Sequence, residues 1–212
     1  AYSASIFFTT VNIDTIHTGY FESGWDNWTD GGNDVARYTG GTYSYENVAS
    51  IRIRDNSGTA SAMTSETFDL TGYSSVEISF YFYSNSMENG EDLWLQVSDN
   101  GGSSYTTVAT WASNNGFSNG TREFESVYIP GPFTANTRLR IRCDASGNAD
   151  IVYVDDVVIS GCAIGGFITP INDNQVAQSL ENARQPQAEI AEGISKLNLF
   201  KTQVLNSSDL RL

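Results

Sequence analysis

Carboxylates stand at both ends of a long run of short apolar segments. Glu22 opens it, within Phe21-Glu22-Ser23-Gly24-Trp25, and the adjacent Asp155 and Asp156 close it, within the apolar stretch 153–160. Closing an antiparallel sandwich brings its first and last strands together, so Glu22 can meet one or both aspartates. Anionic oxygens gathered in this way suit calcium, a hard cation that takes about six to eight oxygen ligands. Asp156 shares strand parity with Val152, Val154 and Val158, which predicts that it points inward unless a bulge intervenes. The simpler alternative is a set of exposed acids at a strand end.

A second constellation lies on the strand faces. If Val76, Ile78, Phe80 and Phe82 face a core, Tyr81 and Tyr83 face outward; on the next strand Asp92, Trp94, Gln96 and Ser98 do the same. Arg138, Arg140 and Arg142 form another outward row, and Arg52 with Arg54 a further one. Rings that stack on sugar faces, beside Arg and Gln that bond hydroxyls or carboxylates, make a glycan-binding platform. Were the Arg rows on one sheet, an anionic polysaccharide would be favoured. Cross-strand packing and pairing with Glu77 or Asp92 account for the same residues without any ligand.

Several function classes lack the residues they need. His17 is the single histidine and precedes the carboxylate-bounded segment, so a Ser-His-Asp arrangement or a His-rich zinc site has little to draw on, and the chain reads as a non-enzyme. Acidic residues number 25 against 11 Lys and Arg, a formal charge of −14, which argues against binding duplex nucleic acid through its phosphates. No apolar stretch reaches the roughly 18 residues of a membrane helix, so membrane insertion is not expected. Cys143 and Cys162 form a disulfide if their strands lie side by side; otherwise Cys143 is a buried thiol and Cys162 an incidental one.

The elements that must position these residues are strands. Residues 50–54, 76–83 and 92–98 alternate apolar and polar, and further strands are expected at 105–108, 122–129, 138–143 and 151–160. Asn-Gly turns at Asn89 and Asn100 suggest a meander of hairpins. The fold class is therefore all-β, an antiparallel sandwich with extended or partly helical flanks. Four segments follow: an extended 1–20, the sandwich 21–161, a polar linker 162–195 interrupted by Pro186, and a strand-like 196–212.

The motifs FESGWDNWTDGG, SIRIRDNSGTAS, SMENGEDLWLQVSDNGGSSYTTVATW, LRIRCDASG and YVDDVVIS together resemble the MAM-like jelly-roll modules of secreted Bacteroidota proteins. The resemblance covers about two thirds of the chain. It implies a jelly roll with a structural calcium ion on Glu22, Asp155 and Asp156, with Asp26 and backbone carbonyls near residues 41–43 as further ligands by analogy. Residues 196–212 resemble the start of a type IX secretion sorting domain, except that Lys201-Thr202-Gln203 replaces the Pro-Asn-Pro turn and the chain ends early. The family implies a secreted or cell-surface module, often accessory to a hydrolase, that binds polysaccharide, cell-surface glycan or protein. A structural subunit is the alternative, self-associating through strand addition by the terminal segments 6–11 and 196–212.

Overall fold

The computed structural model describes residues 12–163. The terminal segments 6–11 and 196–212, the 162–195 linker beyond Ala163, and the strand addition and secretion expected of them lie outside the described residues. Eleven strands are described: β1 (Ile13–Gly19), β2 (Trp28–Asp30), β3 (Val35–Tyr38), β4 (Ser50–Arg54), β5 (Ala62–Ser65), β6 (Tyr73–Asn85), β7 (Asp92–Ser98), β8 (Thr106–Ala112), β9 (Arg122–Pro130), β10 (Arg138–Cys143) and β11 (Ile151–Ala163). They form an antiparallel sandwich of jelly-roll type. One sheet runs β3-β4-β11-β6-β9, with β1 also paired to β11; the other runs β2-β5-β10-β7-β8.

Alternation explains which residues lie between the sheets. Ile51, Ile53, Ile78, Phe80, Phe82, Val152, Val154 and Ile159 of the first sheet meet Met63, Leu93, Leu95, Leu139 and Ile141 of the second, and all are buried. Each large apolar side chain removed from water in this way contributes about 1.5–3 kcal/mol. Trp111, on β8, sets its ring edge-on to Phe80 at 5.4 Å, which makes it a core residue. Trp28 is buried as well, and Trp25 packs against the same core.

Three expectations are corrected by the topology. The turn after β6 does not close a hairpin: β6 pairs with β11 and β9, whereas β7 pairs with β10 and β8, so residues 86–91 carry the chain from one sheet to the other. The sandwich begins before residue 21, because β1 pairs with β11 from Ile13 to Gly19. His17, half-buried, thereby becomes part of the sandwich, its ring 5.5 Å from Phe68 and 6.4 Å from Trp28. Cys143 and Cys162 stand on strands of different sheets and both thiols are free, so the conditional disulfide is not formed. Cys143 Sγ lies 3.9 Å from Met87 Sδ, and burial pushes its thiol up to about 12.

The longest strand holds the seam on which the carboxylate site depends. Along one side, β11 pairs with β4 through residues 151–154 and then with β1 through residues 157–162. At the changeover its register on β6 jumps from Asp155↔Tyr81 to Val158↔Ser79, one residue more on β11 than on its partner. This is a β-bulge, and Asp156 takes a left-handed φ of 49° there. The extra residue reverses the parity: Val152 and Val154 point inward before it, Val157 and Ile159 after it. Asp156 is therefore not the inward carboxylate that strict alternation predicts. Asp155, on the outer side with Tyr153, is the buried one.

Candidate functional site

The loop after β1 is folded by its own carboxylate. Asp26 Oδ2 accepts the backbone N–H groups of Tyr20 at 2.9 Å and Phe21 at 2.6 Å. Arg37, from β3, donates Nε to the Phe21 carbonyl and Nη2 to the Glu22 carbonyl. Glu22 is thus directed at the 39–49 loop joining β3 to β4, where Oε1 accepts the Ala49 N–H at 3.0 Å and Oε2 that of Val48 at 3.4 Å. Asp155 grips the same loop from β11. Its Oδ2 accepts from Tyr45 at 2.7 Å and Glu46 at 3.3 Å, and its Oδ1 from Asp156 at 2.8 Å.

Asp155 is 2% exposed. Burial pushes its carboxyl up to about 6; the N–H bonds from Tyr45, Asp156 and Glu46 oppose that rise, and the charge of Glu22 adds to it. Asp156 stands at the bulge, partly exposed, and its carboxyl is also raised by burial. Of the four expected ligands, Glu22 and Asp155 converge on one loop, Asp26 is turned to the chain at residues 20–21, and Asp156 occupies the bulge. Among the described residues, no three His, Cys, Asp or Glu side chains gather as a metal-binding group. A groove of about 860 Å³ lined by Thr15, His17, Glu22, Asp26 and Glu46 opens beside the loop.

The expected ligand-binding residues divide between two opposite faces. Tyr81 and Tyr83 lie on the outer face of the first sheet, where the 39–49 loop covers them in part. Tyr45 stacks on Tyr81, the centroids 3.4 Å apart and the planes within 6°, while Tyr43 lies 5.1 Å from Tyr83 and 4.4 Å from Tyr153. Arg122 Nη2 ties the loop down through the Ser44 carbonyl at 2.6 Å. Beside them on β9, Phe124 and Tyr128 are 55% and 68% exposed.

The outer face of the second sheet carries the other five. In register, Arg138 stands opposite Ser98, Arg140 opposite Gln96 and Arg142 opposite Trp94. Arg140 Nε donates to Gln96 Oε1 at 2.7 Å, and Gln96 Nε2 donates to Thr107 Oγ1 at 3.0 Å. The Arg140 guanidinium lies 3.7 Å from the centre of the Tyr105 ring, and that of Arg142 lies 4.9 Å from the centre of Trp94. Arg138 Nε bonds Thr67 Oγ1 and Arg142 Nη2 bonds Asn56 Oδ1, each at 2.8 Å. Burial lowers the pKa of Arg140; Tyr105 opposes this and the neighbouring Arg142 adds to it. Arg52 and Arg54 belong to β4 in the other sheet, so the two Arg rows do not share a face.

Sequence reasoning did not identify Tyr105, Thr107 and Asn56 as members of this face. The β7–β8 register, which sets Thr107 opposite Gln96, is the signal that brings in Thr107 and neighbouring Tyr105. Asn56 arrives from a turn distant in sequence, and nothing local marks it.

No family model matches the chain, and no curated protein matches it in sequence. Solved structures resemble it in fold. The N-terminal CBM22-1–GH10 modules of Clostridium thermocellum xylanase 10B, in complex with xylohexaose, align with a TM-score of 0.51 at 21% identity over 77% of this chain and 30% of that one. The C-terminal family 22 carbohydrate-binding module of the same xylanase aligns at 0.50, with 13% identity over 73% and 96%. The K3 cleaved adhesin domain of Lys-gingipain from Porphyromonas gingivalis also aligns at 0.50, with 12% identity over 70% and 99%. These likenesses establish a common jelly-roll fold. The chain spans less than a third of the two-module xylanase structure.

Proposed function

We propose that the chain is a noncatalytic extracellular module that binds glycan across the outer face of its second sheet, through Trp94, Gln96, Arg138, Arg140 and Arg142 together with Tyr105. The observation that carries this reading is the arrangement of that face, where three guanidinium groups hydrogen-bond neutral partners beside two aromatic rings, and Trp94 Nε1 donates to Asp92 Oδ2 at 3.4 Å. Fold neighbours named as carbohydrate-binding modules support it, one of them part of a two-module xylanase structure complexed with xylohexaose. The same xylanase structure joins such a module to a GH10 module, which supports a role as an accessory to a secreted hydrolase. The MAM-like affinity and the sorting role of residues 196–212 rest on the sequence motifs.

Retention in gels containing a panel of soluble polysaccharides tests the reading. At least one polymer is expected to retard the chain, and Trp94→Ala is expected to release it while Tyr83→Ala is not. No retardation by any polymer would refute it. The exposed Phe124 and Tyr128 favour a second reading, with the glycan on the first sheet's outer face; this predicts the same retention but loss on Phe124→Ala.

A structural calcium ion at Glu22 and Asp155 belongs to the same proposal. Both are anionic oxygen donors of the kind calcium prefers, the charge of one raises the pKa of the other, and no basic side chain among the described residues lies within 4.0 Å of either carboxylate. The acid-lined groove would give an ion access to Glu22. Held there, calcium would neutralise the buried Asp155 and the half-buried Glu22 and fix the 39–49 loop against β11. Added calcium should raise the unfolding temperature of EDTA-treated protein, and an unchanged temperature would refute the site.

A further inference from the structure

The three arginines on β10 are a costly arrangement in this chain. Side chains at alternate strand positions are about 6.8 Å apart, so Arg138, Arg140 and Arg142 hold like charges side by side. The protein has 25 acidic residues to pair with 11 basic ones. Yet among the described residues the sole ion pair is Arg54 with Asp34, at 3.7 Å, and it stands on the other sheet. Among the described residues, none of the three β10 arginines has a carboxylate oxygen within 4.0 Å of its guanidinium nitrogens.

Their partners are neutral. Arg138 and Arg140 each spend Nε on an uncharged oxygen, Thr67 Oγ1 and Gln96 Oε1. Among the described residues neither makes a hydrogen bond through its two terminal Nη groups, the paired donors that can grip a carboxylate in a fork. The Tyr105 ring fixes the plane of Arg140, and the Trp94 ring that of Arg142. Positions flanking Arg140 are hydroxyls, with Thr64 opposite it on β5, Thr29 opposite Thr64 on β2, and Thr107 opposite Gln96 on β8, while the acids Asp92 and Asp144 stand at the Arg142 end of the row. The row is therefore held by neutral acceptors and aromatic planes, with its charge directed to solvent.

We infer that this row selects glycans bearing carboxylates, polymers of uronic acids or carrying uronic acid branches, whose charges bind the Nη groups of Arg138 and Arg140 while a sugar ring lies against the Trp94–Tyr105 side. The inference rests on the glycan-binding reading and narrows it to an acidic ligand class. Charge complementarity carries it: an acidic protein has placed a cationic row on this face, and Arg138 and Arg140, at the end of the row away from Asp92 and Asp144, pair with no carboxylate among the described residues. At physiological ionic strength, screening over about 8 Å separates this face from the net negative charge elsewhere.

Affinity electrophoresis of the whole chain tests it, with gels containing polygalacturonate, its methyl-esterified form, glucuronoxylan, neutral linear xylan or heparin. Retardation by a carboxylated polymer is expected, weakened about tenfold or more by methyl esterification and by Arg140→Gln. Arg140→Lys keeps the charge without the fork and is expected to fall between wild type and Arg140→Gln. If thermal unfolding shows Arg140→Gln to be unfolded, Arg138→Gln, whose removed contact is a single bond to Thr67, gives the same readout. Equal retardation by neutral xylan and by the carboxylated polymers would overturn the acidic class and leave glycan binding intact. Retardation by heparin alone would overturn the uronate assignment in favour of sulfate esters. Retardation by none would overturn both the inference and the reading beneath it.

Discussion

Removing the charge of Asp155 should change how stability depends on pH, in a direction opposite to that of an ordinary salt-bridged aspartate. The folded-state pKa is raised from 3.8 to about 6, chiefly by burial. The folded protein therefore holds this proton more tightly than the unfolded chain does. Stability from this group is fully present below pH 3.8 and is lost as pH rises through 6. At about 1.36 kcal/mol per pKa unit, the interval corresponds to about 3 kcal/mol. Asp155→Asn keeps the shape and one oxygen acceptor but cannot ionise. It also sets an NH2 group against backbone N–H groups now bonded to the carboxylate, a loss of about 1–3 kcal/mol that does not vary with pH. Urea unfolding in EDTA at steps from pH 3.5 to 7.5 should show wild type losing about 3 kcal/mol relative to Asp155→Asn across that range. Calcium, if it binds the ionised pair, should cancel the loss. A difference between the two proteins that is constant with pH, or a wild type that gains with rising pH, would refute the argument from burial.

Three further outcomes follow from contacts in the sandwich. The Tyr45–Tyr81 stack should give a coupling of about 0.5–1.5 kcal/mol in a double-mutant cycle with Tyr45→Ala and Tyr81→Ala, read by urea unfolding; no coupling would mean that the loop is not held by the stack. A thiol reagent should modify one cysteine of the native protein, the partly exposed Cys162, and reach the buried Cys143 only on unfolding, as mass spectrometry of the labelled chain would show. Gly31→Ala should destabilise the fold by at least about 2 kcal/mol in thermal or urea unfolding, because a Cβ there would lie 1.7 Å from the Thr59 carbonyl oxygen and 2.7 Å from that of Ala62, both backbone atoms.

The sequence was most legible where alternation was clean. β4, β7 and β10 occupy the residues their periodicity predicts, since one face of each meets the core and the other lies outside it, although the outward Gln96 and Ser98 of β7 are themselves buried under neighbouring side chains and turns. β2, β3 and β5 have three or four residues each, too few for a period to show, and β1 mixes polar and apolar residues because it covers only part of β11. Parity within a strand located the outward residues; membership of a sheet was beyond it. Tyr81 and Trp94 share an outward parity on consecutive strands, yet the chain crosses between sheets after Asn85 and puts them on opposite faces. The Asp155–Asp156 pair shows a similar limit. One bulged residue exchanged the inward and outward positions, and only the pairing partners on β4, β1 and β6 reveal it.

Glycan binding on the outer face of the second sheet is most directly tested by backbone amide chemical-shift mapping of the full chain, titrated with oligosaccharides cut from whichever polymer retards it. The account predicts shifts that concentrate in Trp94, Gln96, Tyr105, Thr107 and residues 138–142. Shifts confined to Tyr81, Phe124 and Tyr128 would contradict it and place the ligand on the opposite face.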